Sequence, residues 1–215
     1  MTALRLRLAR LHRDRRGVAM IEFAFVLPIL VLMSLTGAEL TNYITVKMRI
    51  SQIALQLADN AARMGSGTPT QAKQVTETDI NDIFSGAQVE SGNLDLLTNA
   101  RVIVSDLEVK TIGAATYRIV WQRCYGNQSH PSSYGAAGAT NLTGMGPAGR
   151  QVTAQDNSPT MFVEVYYVYK PLLKAIWAPT TTMTEIASMS VRDRRDTTGG
   201  TNGIYNSANA PVASC

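Results

Sequence analysis

Residues that carry enzyme chemistry are scarce in this sequence of 215 residues, which has only two histidines and two cysteines. His12 lies in an arginine-rich start and His130 in a polar segment. No cluster of His, Cys, Asp and Glu has the spacing of a metal site, and no glycine-rich phosphate loop stands between a strand and a helix. The serines lack a positioned His and Asp. The sequence therefore predicts a protein that is not an enzyme and needs no cofactor or metal.

Net positive charge is lacking outside the start of the chain. The net charge is +4, but the first seventeen residues alone carry six arginines and one aspartate, and the remaining residues sum to −1. The basic character thus belongs to the start and not to a binding face, so nucleic acid is not an expected partner. Arginines before an apolar stretch predict that the N-terminus stays in the cytoplasm and that the chain crosses the membrane.

Charged side chains are missing altogether from residues 23–38. As a helix, Val18–Ala38 would extend over roughly 30 Å, the thickness of the hydrocarbon core of a bilayer. A secretory signal peptide would have a shorter apolar region that ends at a small-x-small cleavage site. This stretch is longer and the helical pattern continues beyond it, so we predict a transmembrane helix over residues 18–40.

An apolar stripe at steps of three and four continues from Leu40 to Met64. Gly65-Ser66-Gly67-Thr68-Pro69 ends it. The predicted helix Val18–Met64 is about 70 Å long, so its amphipathic part, residues 41–64, extends beyond a bilayer and needs an apolar partner. Pro28 lies inside the span, where it removes one backbone donor and predicts a kink.

The segment around Gly17 has a characteristic order of residues. Arg15-Arg16-Gly17-Val18-Ala19-Met20-Ile21-Glu22-Phe23-Ala24 is followed by Leu27-Pro28-Ile29-Leu30 and Ala38-Glu39-Leu40. This combination resembles the N-terminal signature of the TadE/TadF family, the pseudopilins or minor pilins of tight adherence (Flp-type IVc) pili. The resemblance covers about residues 13–64, and the rest of the chain adds no matching motif.

The resemblance implies a processed structural protein. Gly17 would end a leader, residues 1–17, that a membrane prepilin peptidase removes by cutting before Val18, and Glu22 would then act in assembly. The implied partners are the prepilin peptidase, the major pilin, other minor pilins, the inner-membrane assembly platform and the lipid bilayer. The C-terminal domain would face the periplasm from the bacterial inner membrane, with incorporation into an extracellular pilus as a further step.

Physical chemistry supports a role for Glu22. A carboxylate in a membrane span costs roughly 2.5 kcal/mol or more, and so indicates a function. Cleavage after Gly17 would leave an ammonium group on Val18, about 6 Å along the helix axis from Glu22. In a stack of helices, that carboxylate can pair with the ammonium of a neighbour. The alternative is that Glu22 only reaches the cytoplasmic headgroups. Glu39, at the far interface, is interpreted as a solvated boundary charge.

Residues 65–215 are typical of an α+β domain. A short helix is expected over Thr78–Phe84, with Thr76 or Thr78 as its cap. The expected strands are Arg101–Val109, Thr116–Cys124, Met161–Tyr169 and Glu185–Val191, with a hairpin loop over Lys110–Ala115. Alternation in the second strand predicts Tyr117, Ile119 and Trp121 on one face. We therefore predict a pilin-like fold, a long N-terminal transmembrane helix packed on a small antiparallel sheet.

Four segments have less regular patterns. Gly126–Pro159 is a long polar loop, of a length that is usually functional or disordered. Pro171–Pro179 is an apolar excursion, interpreted as cover for one end of the core, with contact to a partner or the bilayer as the alternative. Arg192–Asp196 is interpreted as a solvated strand end. Asp196–Cys215 is expected to fray unless it is tied down.

Cys124 and Cys215 fit an exported protein with one disulfide bond. Such a bond would tie the tail to the strand that ends at Cys124, and the chain-entropy model assigns it about 4 kcal/mol. Two unrelated thiols are the alternative.

Two functions follow from the sequence. The first is a pseudopilin or minor pilin that assembles through Glu22 and the helix stripe. The alternative is a signal-anchored periplasmic binding or adhesin module, in which the helix is only a tether and Gly126–Pro159 contacts a ligand. A larger TadG-like member is disfavoured because the domain leaves no room for an added von Willebrand-type module.

Overall fold

The structure of the protein is a computed structural model that describes residues 17–68, 70–172 and 181–215. Residues 1–16 of the predicted leader, residues 1–17, and most of the apolar excursion Pro171–Pro179 lie outside the described residues. The chain divides into two units, one of Met1–Asn42 with Pro171–Ala178 and one of Tyr43–Lys170 with Pro179–Cys215.

The longest element is helix α1, Val18–Arg63, which has 46 residues and contains Pro28. Its bounds confirm the helix expected from the apolar pattern. The helix ends where Gly65 takes a φ of 102°, a backbone conformation that side chains disfavour and glycine adopts readily. Residues up to Asn42 belong to the first unit and those from Tyr43 to the second.

A four-stranded antiparallel sheet forms the centre of the second unit, with the strand order β3-β2-β4-β5. Its strands are β2 Ala100–Val109, β3 Tyr117–Tyr125, β4 Thr160–Val168 and β5 Thr182–Ser190. All four expected strands are present, and β2 and β3 form the expected hairpin. The structure thus confirms an α+β fold with a long apolar N-terminal helix and an antiparallel sheet.

The alternation expected in β3 is wrong beyond Ile119. Ser105 of β2 pairs with Gln122, but Leu107 pairs with Ile119, so one residue of β2 faces two of β3. Such a β-bulge reverses the side-chain alternation locally. Trp121 therefore packs in the cluster beneath α1, while Ile119 packs on the opposite face of the sheet.

The main core forms between the second part of α1 and one face of the sheet. Four residues of α1 at helical spacing are fully or almost fully buried: Ile50, Ala54, Leu57 and Ala61. They belong to one cluster with Val102, Val104, Val163 and Val165 of the two central strands. The amphipathic stripe expected over residues 41–64 therefore has its apolar partner within the same unit. Small residues at two of these helix positions allow close approach to the branched side chains of the strands.

Helix α2, Glu77–Ser91, is longer than the expected Thr78–Phe84. Thr76 caps it, because the Thr76 hydroxyl accepts a hydrogen bond from the Asp79 amide at 3.1 Å while the Asp79 carboxylate accepts one from the Thr76 amide at 2.8 Å. Phe84 stacks on Tyr125 with ring centroids 5.6 Å apart. Tertiary packing of this kind outweighs the low helix propensity of the serine and glycine that follow Phe84.

The segment between β3 and β4 covers the other face of the sheet. Gly126, at a φ of 97°, begins it, and a Cβ at this position would lie 2.2 Å from the carbonyl oxygen of Ala100. Met145 and Ala154 are buried there against Leu107, Ile119 and Phe162. The long loop is therefore a layer of the domain, packed on a second apolar cluster.

The C-terminal tail is tied down at several points. Strand β6, Ile204–Tyr205, pairs in parallel with β1, Val75–Thr76. Cys124 and Cys215 form a disulfide bond with a Cα–Cα distance of 4.9 Å. The Cys124 amide also donates to the carbonyl of Ala213 at 2.8 Å. The tail thus runs back to the end of β3, as the expected pairing of the two cysteines requires.

Replacing Cys215 by serine tests the contribution of this bond. The cysteines are separated by 91 residues, so Cys215→Ser is expected to lower the free energy of unfolding by about 2–4 kcal/mol through a less restricted unfolded chain. Thermal unfolding of the full chain in detergent measures the loss. The double variant Cys124→Ser/Cys215→Ser is the control and should match the single variant closely. Equal melting temperatures for wild type and Cys215→Ser would contradict the prediction.

Candidate functional site

The bond between Gly17 and Val18 lies at the first turn of α1. The Ile21 amide donates to the Gly17 carbonyl at 3.2 Å, so Gly17 accepts the first hydrogen bond of the helix. Among the described residues, no atom lies within 4 Å of the position that a Cβ of Gly17 would occupy. Val18 is 47 % exposed. The part of the chain that the structure describes therefore leaves this bond accessible from the side of the glycine.

Glu22 lies one turn further along α1 and is exposed. Positions 18 and 22 share one face of the helix and are separated by about 6 Å along its axis. Within residues 17–68, 70–172 and 181–215, Glu22 has no ion pair. The carboxylate is thus available to a group outside the described residues.

The surface around Glu22 is apolar and uncovered. Every residue from Val18 to Ala38 is exposed, and no residue of the most apolar stretch of α1 is buried. The large apolar side chains with more than three-fifths of their surface exposed here are Met20, Phe23, Phe25, Ile29 and Met33. A helix of this length and composition is compatible with a single-pass membrane anchor.

Hydroxyl groups in this part of α1 are satisfied within the helix. The Ser34 and Thr36 hydroxyls each donate at 2.8 Å to the carbonyl four residues earlier, and Thr41 does the same with Gly37. Such internal pairing suits polar side chains in an apolar surrounding, where no water replaces the missing partner. The helix continues through Pro28, whose ring nitrogen donates no hydrogen bond.

Glu39 differs from the expectation for a boundary charge. The sequence interpretation was a solvated carboxylate, but Glu39 is only 1 % exposed. A buried carboxylate requires polar partners that offset its desolvation. The expectation of a solvated Glu39 is therefore wrong.

Arg195 caps a helix, a role that the sequence analysis did not predict. Its guanidinium donates to the carbonyls of Ala61 and Met64, both at 3.0 Å, so it caps the C-terminus of α1, where a positive charge also complements the helix dipole. The interpretation of Arg192–Asp196 as a solvated strand end is therefore wrong for Arg195. Burial lowers the pKa of Arg195, and the charge of Asp106 counteracts this shift.

Asp106 is the most strongly perturbed acid of the domain. Its side chain is buried in β2, and one carboxyl oxygen has no hydrogen-bond partner among the described residues. Burial, reinforced by the charge of Glu108, raises the pKa of Asp106 to about 8, although Arg195 lowers it. The carboxyl group is thus largely protonated at neutral pH. Its position beneath the end of α1 suits a structural role.

A buried ion pair joins α2 to the sheet. Arg123 of β3 donates to both carboxylate oxygens of Glu77, and its Nε lies 2.9 Å from Glu77 Oε2. The Arg123 side chain is 14 % exposed and that of Glu77 is 4 % exposed. Paired charges of this kind fix the register between two elements, because removing either partner leaves the other buried and unpaired.

The polar groups of the long loop are used to hold the loop itself. His130 stacks on Tyr166 with ring centroids 4.0 Å apart. The buried carboxylate of Glu164 accepts hydrogen bonds from the Ser132 hydroxyl at 3.0 Å and from the Ser133 amide at 3.1 Å. An open cleft of about 690 Å³ lies beside this segment and the disulfide bond. Since these side chains bind the sheet, they give no support to a ligand contact by the loop.

In the described part of the chain, no group of three or more His, Cys, Asp or Glu side chains is placed to hold a metal ion.

Comparison with protein-family models, with curated proteins and with solved structures finds no match for this chain. The candidate site therefore rests on the exposed start of α1: Gly17, Val18 and Glu22.

The pKa of Asp106 predicts how stability depends on pH. The folded state holds a proton that the unfolded state, with a pKa of 3.8, releases. Stability from this group therefore falls as pH rises from about 4 to 8, by at most about 1.4 kcal/mol per pH unit. Asp106→Asn keeps the shape of the protonated acid and should flatten this dependence, so that the variant unfolds at a higher temperature than wild type at pH 9.

Thermal unfolding at pH 5 and pH 9 measures this difference. The control is Asp82→Asn, because Asp82 is exposed on α2 and its replacement should leave the pH dependence of wild type intact. A variant Asp106→Asn with the same decline between the two pH values as wild type would refute the role of Asp106.

Proposed function

We propose that this chain is a prepilin-like structural protein, a pseudopilin or minor pilin of a tight adherence pilus, as the resemblance to the TadE/TadF family implies. One observation carries the proposal. Gly17 and Val18 stand at the accessible start of α1, whose apolar residues 18–38 are all exposed, and Glu22 lies one turn further on the same face.

The geometry suits assembly through charge pairing. A free ammonium on Val18 and the carboxylate of Glu22 would be about 6 Å apart along the axis of one helix. When helices stack with an axial offset of one turn, the carboxylate of one copy meets the ammonium of the next. In an apolar surrounding, each charge is costly alone and much less costly as a pair. The pair would therefore set the axial register between neighbouring helices.

The second part of α1 supports a structural role for the domain. Its apolar stripe packs on the sheet over Ile50–Ala61, so the domain is attached to the helix along several turns. Arg195 caps the last turn. Under this proposal the second part of α1 is a structural part of the domain, whereas a tethered module needs only a short linker. The cytoplasmic leader, the periplasmic domain and the pilus partners are parts of the same proposal.

The N-terminal residue of the protein purified from its native membrane tests the processing step. We expect the mature chain to begin at Val18, because a prepilin peptidase would remove residues 1–17. Mass spectrometry of the intact protein gives the answer directly. Gly17→Ala and Gly17→Leu form a graded pair, in which the larger side chain should block cleavage more strongly. A chain that begins at Met1 would favour the tethered binding or adhesin module.

Replacement of Glu22 tests the assembly step. Glu22→Gln removes the charge and keeps the size, so we expect incorporation into pili to fall by at least about tenfold, as for a lost buried ion pair worth 1.4 kcal/mol or more. Cleavage before residue 18 and the amount of protein in the membrane should not change. Glu90→Gln, at an exposed position of α2, is the control. Normal pilus assembly by Glu22→Gln would contradict the proposed role.

A further inference from the structure

The two edges of the four-stranded sheet differ in whether other described segments of the chain cover them. At the β3 edge, Tyr117 and Leu142 exchange backbone hydrogen bonds at 2.9 and 3.0 Å, and the Cys124 amide donates to the Ala213 carbonyl at 2.8 Å. The long loop and the C-terminal tail therefore cover this edge. Covering is one of the ways in which proteins prevent an edge strand from pairing with another chain.

The opposite edge is formed by β5, and its ends show which residues face inward. The Tyr169 amide donates to the Thr181 carbonyl at 2.8 Å, and the Val191 amide donates to the Pro159 carbonyl at 2.9 Å. Backbone groups of successive residues point to opposite sides of a strand in an antiparallel ladder. The odd-numbered residues of β5 therefore bond to β4, and the even-numbered ones face away from the sheet.

Three outward backbone positions in the middle of β5 are unpaired among the described residues. Thr184, Ile186 and Ser188 have no backbone hydrogen-bond partner on this side among the described residues. The strand has nine residues, pairs with β4 without a bulge, and contains neither proline nor lysine. Its one charge, on Glu185, lies 3.7 Å from Lys47 of the same chain. Proline, lysine, a bulge and a covering segment, the usual devices that protect an edge strand, are thus not found at β5 in the part of the chain that the structure describes.

The sequence of β5 indicates what covers this edge, because it is nearly symmetric about Ile186. Residues at equal distance from Ile186 have the same chemical class in three of four cases. The pairs are Thr182 with Ser190, Met183 with Met189, Thr184 with Ser188, and Glu185 with Ala187. A two-fold interface places each of these residues opposite its counterpart, so a symmetric strand is complementary to itself.

We propose that β5 pairs with β5 of a second copy of this chain, antiparallel and centred on Ile186, so that the two sheets form one continuous sheet. This interface does not depend on processing after Gly17 or on Glu22. It would be an additional contact between copies, made by the domain and not by the apolar part of α1.

Hydrogen bonding and charge are both satisfied in the register that the symmetric sequence favours. With Ile186 at the centre, Thr184 faces Ser188 of the second copy, so outward groups meet outward groups along the whole strand. A shift of one residue would place outward groups opposite inward ones. A centre at Glu185 would also align the hydrogen bonds, but it would place two carboxylates directly opposite each other, which is destabilising. Centring on Ile186 places Glu185 opposite Ala187 instead.

Single added cysteines in the full chain test the interface in membrane vesicles. Cys124 and Cys215 are bonded to each other, so an added thiol reports on contacts between copies. At the centre of the interface, residue 186 would lie about 5.5 Å from its counterpart between Cα atoms, within disulfide range. We therefore expect Ile186→Cys to give a covalent dimer on mild oxidation.

Matched controls test the register. Thr184→Cys alone and Ser188→Cys alone would each lie about 13 Å from their own counterparts, so each should give roughly tenfold less dimer than Ile186→Cys. Co-expressed with different affinity tags, these two variants should form the mixed dimer. Adding Ser188→Pro to Ile186→Cys should abolish the dimer, because it removes an outward donor and leaves the bonds to β4 intact. Unchanged melting temperatures verify that each variant is folded.

Three outcomes would overturn the proposal. The first is a folded Ile186→Cys variant that gives no dimer. The second is equal dimer from Thr184→Cys and Ile186→Cys, which would indicate collisions driven by α1 without a defined strand register. The third is a bond from Ile186→Cys to a different membrane protein, which would make β5 the binding edge for another partner.

Discussion

The packing of Tyr43–Arg63 against one face of the sheet is the contact on which the rest of the second unit depends. The apolar stripe of α1 contributes fully buried side chains at helical spacing. These side chains pack in one cluster with branched residues of the two central strands. Burial of apolar area is the dominant favourable term in folding. The same helix leaves every residue from Val18 to Ala38 exposed, so its two parts meet different surroundings.

Charged side chains inside the domain determine which elements contact each other. Their main effect is on the arrangement of the elements and not on the total free energy of unfolding. Arg195 brings the segment after β5 to the last turn of α1, and Arg123 holds the start of α2 through Glu77. Buried charges are costly to place and costly to lose, so such contacts favour one arrangement over others. Asp106 is the exception among them, since its raised pKa keeps the acid neutral near pH 7.

Several features of the second unit concern how its segments cover the sheet. The loop Gly126–Pro159 is used to cover a face of the sheet, and its polar groups bind Glu164. Among the described residues, one edge of the sheet is covered and three outward backbone positions of the other edge have no partner. The exposed part of α1 with Glu22 and this edge of β5 are the two surfaces on which the proposed contacts between copies depend.

The sequence by itself determined the long helix, the four strands and the order of the segments, because these depend on local periodicity, glycine and turn residues. It also predicted the cysteine pair, which the disulfide bond confirms, whereas the roles of Gly17 and Glu22 stay predictions. It did not predict the bulge that turns Trp121 to the helix face, the length of α2 beyond Phe84, the burial of Glu39 or the capping of α1 by Arg195. Each of these depends on residues far apart in the chain. Only the tertiary structure decided them, because packing and long-range hydrogen bonds outweigh local preferences of about 1 kcal/mol or less per residue.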